Sequence, residues 1–392
     1  MLSVMKTILV TGVSIILGCA TIATPAARSQ TNSGAGFSHP LKNKSTSAND
    51  AESERELQTG TALTRRGQFA EAIPHLLAAR GKVSNEYAAS FNLALCYVGT
   101  REYQHAIEIL SDLRRDEHDN ADVENLLAQA YIGNGRPNEA FAALEKAAAI
   151  APQNEKLYVF VADACTDRQD FALGLRVVDL GLKNLPQSPR LHYERAMLLS
   201  QLDQFDRAKA AFELAKRFGQ ETDIGHLAAA HEALLAGDVA NTIKFASAGI
   251  NKGSENPILL IVLGEALLRS GVVPGESGFT EAQNALEKAS IERPNDVSAQ
   301  IALGQIYLAS GRLDDAVVHL ERARQMQPDN PSVYANLAKA YQRRGDSQRT
   351  EQALATLQTL NEAQAEKIRS APGDRKLGYG GENAGAQDLS QH

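Results

Sequence analysis

The chain has no tryptophan, and phenylalanine and tyrosine together make up only 5% of its 392 residues. No segment is rich in strand-forming residues, which argues against a sheet-based fold. The short signatures of catalysis and metal binding are missing too: no glycine-rich phosphate loop after a strand, no H-E-x-x-H, no C-x-x-C and no G-x-S-x-G. His226 and His231 stand five residues apart, the wrong spacing for two ligands on one helical face, and a structural metal site needs further Cys or His nearby. Positive charge is in short supply. The 40 Lys and Arg residues are outnumbered by 47 Asp and Glu, giving a net charge of −7 and a pI near 5.8, and they are scattered rather than clustered. A nucleic-acid partner is therefore not expected. The acidic residues show no pairing suited to acid–base work and read as solvating charge. These absences point to a chain that is not an enzyme and takes no cofactor, metal or small-molecule substrate.

What is present is a pattern 34 residues long. In 297–330, Leu303, Gly304 and Tyr307 share one face of a first helix, and Gly311 tolerates the positive φ needed where that helix stops. Ala316, Leu320 and Ala323, spaced four and three apart, form the apolar face of a second helix, and Pro328 ends it because proline disfavours helical conformation in the residue before it. The pattern recurs in units 53–86, 87–120, 121–154, 155–188, 189–222, 223–256, 257–296, 297–330 and 331–364, nine in all, the seventh being 40 residues long. The eighth position is Gly or Ala in every unit: Gly60, Ala94, Ala128, Ala162, Ala196, Ala230, Gly264, Gly304 and Ala338. One helix must approach its partner there too closely for a larger side chain. The twentieth position is Ala in six units, Gly174 in another, and Thr242 and Thr350 in the rest, and the twenty-fourth is apolar throughout, from Leu76 to Leu354.

A phase-locked pattern of this length resembles the tetratricopeptide repeat. The family's aromatic at the fourth position is absent from the eighth unit, where Gln300 stands. The resemblance implies an all-α fold, a right-handed α-solenoid of nine helix-turn-helix pairs. It also implies a non-enzymatic interaction scaffold or adaptor whose partner is a protein or peptide. In this setting Cys96 and Cys165 lie on first helices two units apart. Packed helices are spaced by roughly 8–10 Å, which puts these two beyond the ~7 Å limit for a disulfide, and both read as small buried hydrophobes.

The flanks are 52 and 28 residues long. Residues 1–30 have a single basic residue, Lys6, before an uncharged apolar run and small residues, the layout of a secretory signal. Two alternatives stay open. Ile16-Leu17-Gly18-Cys19 resembles a lipobox, which would lipidate Cys19 and tether the chain to a membrane, and the uncharged run 7–27 is near the length of a spanning anchor. Either way the chain is expected to be exported, periplasmic or attached to the cell envelope of a bacterium. Residues 31–52 lack the apolar content to offset ordering entropy and read as a linker. Residues 365–392 read as an extension of the last helix followed by a disordered tail. Exported family members often serve outer-membrane, pilus or cell-wall assembly, and a lipidated factor of that kind is the alternative function.

The seventh unit carries six extra residues around VVPGES after Gly271, an insertion expected to lie in a loop. In the sixth unit Ala229, Ala233, Ala246 and Thr242 replace larger or better-fitting residues, which predicts looser packing. The last unit has Glu362 in place of the closing proline, so its second helix should run on to about Ile368.

In the family the second, fifth, ninth and twelfth positions of the first helix face the ligand. Carried onto this chain they give an apolar inner wall: Phe91, Leu95, Val98, Ile132, Tyr193, Met197, Leu227, Leu234, Ile258, Ile261, Leu268, Ile301 and Leu308. The reading is of an open groove taking a peptide or partner helix on these anchors, unless they pack against the adjacent helices instead. Specificity would come from Asn92, Gln129, Asp163, Glu265, Gln305 and Lys339 between them. The family's clamp for a terminal carboxylate is not expected, because Leu57, Thr61 and Leu126 occupy its positions and only Asn92 fits.

Overall fold

The computed structural model describes residues 48–115 and 120–370, all of it helical hairpins. Eighteen helices form nine pairs: α1 Ala48–Arg65 with α2 Phe69–Ala79, α3 Glu86–Gly99 with α4 Tyr103–Arg115, and α5 Ala121–Gly133 with α6 Pro137–Ile150. There follow α7 Glu155–Asp167 with α8 Phe171–Asn184, α9 Pro189–Gln201 with α10 Phe205–Phe218, and α11 Asp223–Leu235 with α12 Val239–Asn251. The array closes with α13 Pro257–Arg269 and α14 Ser277–Glu292, α15 Val297–Ala309 and α16 Leu313–Met326, and α17 Pro331–Arg344 and α18 Ser347–Ser370. No strand occurs among the described residues, and none of their helices is long and apolar enough to cross a membrane.

Each hairpin is punctuated by its own residues. The last residue of a unit caps the first helix of the next: Asn120 accepts from the Asp122 and Val123 amides, Ser188 Oγ from Leu191 at 2.9 Å, and Asp296 Oδ1 from Ala299 at 3.1 Å. Such caps satisfy amides that the helix itself leaves orphaned. At the fifteenth position the chain turns through the left-handed region in every unit. Gly67, Gly135, Gly237, Gly271, Gly311 and Gly345 supply it at φ between +73° and +86°, whereas Arg101, Gln169 and Asp203 adopt +65°, +58° and +59° with side chains attached.

The small eighth position meets the large twenty-fourth. A β-carbon on Gly304 would lie 2.5 Å from Leu320 Cγ, and one on Gly60 2.6 Å from Leu76 Cγ. Ala72, Ala106, Ala140, Ala208, Ala282 and Ala316 at the twentieth position are wholly buried. The second helices bury one face only. The first helices from α3 to α17 are buried nearly all round, because each packs on its own partner, on the second helix of the unit before and on the neighbouring first helices. In α15 only Gln305 breaks the buried run from Ser298 to Leu308.

Residues 48–52, read from the sequence as linker, form the first turn of α1, where Asp50 complements the helix N-terminus and Ser53 Oγ donates to the Asn49 carbonyl at 3.0 Å. The inserted turn of the seventh unit is itself structured, since the Val273 amide donates to Glu276 Oε2 at 3.0 Å and the Glu276 amide returns to the Val273 carbonyl at 3.1 Å. In the sixth unit α12 buries only Thr242, Ala246 and Gly249. Cys96 and Cys165 are free and buried, and burial pushes the Cys96 thiol up to about 11. Cys19 and the rest of the leader, most of the linker and the tail from 371 lie outside the described residues.

Candidate functional site

The apolar wall expected to line an open groove is largely core. Phe91, Val98, Ile132, Tyr193, Met197, Leu227, Leu234, Ile258, Ile261, Ile301 and Leu308 are all buried. Only Leu95 and Leu268 keep partial exposure. The correction has a physical cause: adjacent first helices pack on one another, so positions five and twelve are covered by the neighbouring units rather than left facing a cleft. Tyr193 shows the result. Its hydroxyl lies 3.1 Å from His231 Nδ1 and its ring packs on Phe212.

The ninth position remains as the inner edge, and its accessibility changes along the array. Lys339 near the end is exposed, Gln305 and Glu265 are partly so, and Gln129, Asp163, Met197 and His231 in the middle are buried. Of the polar residues expected to give specificity, Asn92 donates to the Ala88 carbonyl of its own helix at 2.8 Å, and Gln129 to Asn125 Oδ1 at 2.9 Å. Both are internally satisfied. Asp163 and Glu265 are different.

Asp163, on α7, faces Arg190 and Glu194 on α9. Arg190 Nε stands 2.7 Å from Glu194 Oε1, an ion pair one helical turn long, and Glu194 is 4% exposed. A second pair comes from the connection between α14 and α15, where Arg293 Nε lies 3.3 Å from Asp296 Oδ2 with both residues buried. The charge of Arg293 opposes the rise in pKa of both Asp163 and Tyr193, although it belongs to a unit three further along the chain than Asp163 and two further than Tyr193. The winding of the array thus leaves α7 and α9 within electrostatic reach of the α14–α15 connection.

Electrostatics follow from burial. Desolvation, with Glu194 adding like charge, holds the Asp163 carboxyl well above the usual carboxylate range against the pull of Arg190 and Arg293. Desolvation also raises Glu265 to about 7, opposed by Arg269 and reinforced by Asp296. Asp163 Oδ1 is buried with no hydrogen-bond partner. Such an atom is uncommon in a folded protein. Among the described residues no group of three or more His, Cys, Asp and Glu is placed to hold a metal.

Arg190, Glu194, Arg293 and Asp296 escaped the sequence reading. A signal existed for the first two, which are opposite charges at i and i+4 on a helix otherwise dominated by apolar residues. For Arg293 and Asp296 there was none, since their place depends on the cumulative turn of three units.

Known proteins bear on this geometry. The sequence profile of the TPR repeat matches residues 304–345, and profiles described as tetratricopeptide repeat match 63–130 and 276–324, and 123–154 and 189–217. No curated protein sequence matches significantly. Among solved structures, a chain of the APC/C hetero-tetramer Cut9–Hcn1 is similar at 16% identity with a TM-score of 0.50, over 83% of this chain and 64% of that one. This chain therefore spans less than two thirds of that relative's length. A tetratricopeptide repeat protein from Parabacteroides merdae is similar over 65% of this chain and 98% of its own at 18% identity, with a TM-score of 0.45. YrrB, titled a TPR protein with an unusual peptide-binding site, is similar over 49% of this chain and 96% of its own at 16% identity, with a TM-score of 0.35. The nine hairpins, their locked eighth and twenty-fourth positions and the profiles matching five stretches lead to one assignment: the chain is a tetratricopeptide repeat protein.

Proposed function

We propose that the chain is a non-catalytic scaffold that holds a segment of a partner protein against the inner edge of its first helices. The observation that carries this reading is the convergence there of charged residues from units four, five and seven, with one oxygen of the buried Asp163 carboxyl unmatched. A core built for stability alone has no use for an orphaned charge, whereas a binding surface leaves such groups for its ligand to complete.

Selection of a peptide library on the chain, followed by hydrogen exchange with the best binder, tests this. Protection concentrated in α7, α9 and α13 supports the inner edge. Protection confined to the second helices overturns it.

The scaffold is further proposed to act outside the bacterial inner membrane, in an envelope process. Support comes from the leader sequence alone: one basic residue, an apolar run and small residues before Arg28. Intact mass of protein from the native host tests it. An N-terminus within residues 23–29 indicates a cleaved soluble form and acyl chains on Cys19 a lipoprotein, while the full-length mass removes both.

A further inference from the structure

The charges on the inner edge do not balance, and the imbalance has an address. Arg190 is engaged by Glu194 at 2.7 Å, and Arg293 by Asp296 at 3.3 Å. Each arginine thus has its own carboxylate. Asp163 is the third carboxyl of the group: 9% exposed, within electrostatic reach of both arginines, with Oδ1 lacking any hydrogen-bond partner, as Arg190 Nε does too. Glu265, in the same unit as Arg293, adds a second acidic group that neither pair neutralises.

We propose that Asp163 anchors a cation subsite that takes a lysine or arginine side chain of the bound partner segment. This rests on the reading of the inner edge as the binding surface and adds to it the chemistry of one contact. An incoming guanidinium or ammonium supplies the donor that Oδ1 lacks. It also stabilises the ionised form of the carboxyl in a setting where water cannot. A hard divalent ion is a poorer match, because it demands six or more oxygen ligands and one orphaned carboxylate oxygen offers too few. Long side chains suit the site because their stems cross apolar surface while the head stays paired. The raised pKa of Asp163 agrees with this, for a carboxyl held protonated without its ligand ionises when a cation arrives.

Two short peptides of otherwise identical sequence serve as probes, one with a central arginine and one with citrulline, which keeps the shape and loses the charge. Each is titrated into the full chain by calorimetry at low ionic strength. The expected result is at least about tenfold tighter binding of the arginine peptide, with the preference lost in Asp163→Asn. That variant should melt at the same or a higher temperature near neutral pH, because it removes the cost of holding a buried carboxyl protonated where the unfolded chain would ionise it. A purely structural Asp163 predicts the opposite, a lower melting temperature and no change in preference. Should the asparagine variant fail to fold, Asp163→Gln copies the residue that Gln129 presents at this position one unit earlier. Equal affinity for the two peptides overturns the cation subsite while leaving the inner-edge reading intact. An arginine preference that survives in Asp163→Asn overturns the assignment to Asp163. Failure of both peptides to bind also overturns the subsite, and the exchange experiment above then judges the broader reading separately.

Discussion

Gln300 donates its side-chain amide to the Pro294 carbonyl at 3.1 Å. Three other units make the same contact from the fourth position: Tyr158 to Pro152 at 3.0 Å, His192 to Pro186 at 2.9 Å and Tyr334 to Pro328 at 2.8 Å. In these four units the fourth position is thus occupied by side chains that share a hydrogen bond to this carbonyl rather than a ring. The carbonyl of the proline that ends one unit is satisfied by the first helix of the next. Gln300 also accepts from His319 Nδ1 at 2.7 Å and so ties α15 to α16. Gln300→Leu leaves both groups without a partner in a site only 1% exposed. A loss of about 1–3 kcal/mol is expected, read as a lower urea midpoint at an unchanged slope.

Gly304 is expected to be nearly irreplaceable. Alanine in a helix interior normally gains about 1 kcal/mol over glycine. Here its methyl would meet Leu320 Cγ, Cδ1 and Cδ2 within 3.2 Å, at the branch of the side chain and not at a flexible end. Overpacking of this kind costs about 1–3 kcal/mol, so Gly304→Ala should be net destabilising. The double variant with Leu320→Val should be less affected than the sum of its parts, which thermal melts of the four proteins would reveal.

Gln169 runs the other way. It holds φ +58° at a turn where six other units use glycine. The left-handed region costs a non-glycine residue roughly 1–2 kcal/mol, partly offset by the extra unfolded-state freedom of glycine at about 0.4–1 kcal/mol. Gln169→Gly should therefore stabilise by a fraction of a kcal/mol to about 1 kcal/mol. A lower melting temperature would contradict it. Asp203 should gain less, since Asp tolerates this region better.

His231 gives the fold a pH dependence. Burial pushes its pKa down to about 4, opposed by a hydrogen bond to the Leu227 backbone, and the ring is 4% exposed. Between about 6.5 and about 4 the unfolded chain binds this proton and the folded chain does not. The contribution is complete above the unfolded pKa and is lost as the pH falls to the folded one, about 3 kcal/mol in total. Glu265, raised to about 7, acts with opposite sign over a neighbouring range. The comparison must therefore be with His231→Gln, which should lose less stability than the native chain between neutral pH and about pH 4.5 in denaturant titrations.

The parts legible in the sequence are those with a local cause. Gly304 against Leu320 is a close approach between fixed positions of one hairpin, so a small residue recurs there in every unit and the spacing reveals it. The left-handed turn is visible where glycine marks it, and hidden at Arg101, Gln169 and Asp203, where tertiary packing holds the same backbone in less suited residues. Asp163 and Glu265 were reachable because they share the ninth position. Phe91, Ile261 and Ile301 were misread as an open wall because position alone does not say how closely neighbouring first helices pack. Arg293 was out of reach for another reason. Its nearness to Asp163 depends on small rotations between units that no 34-residue pattern states.

Those rotations add up. Units four and seven are linked through three successive interfaces, and in the intervening sixth unit the second helix buries only Thr242, Ala246 and Gly249 fully, with Ile243, Phe245 and Ile250 packed partly against the core. Because each unit packs mainly on its neighbours, a small change of angle at each of these interfaces alters how far Asp163 stands from the Arg293–Asp296 pair while every helix stays intact.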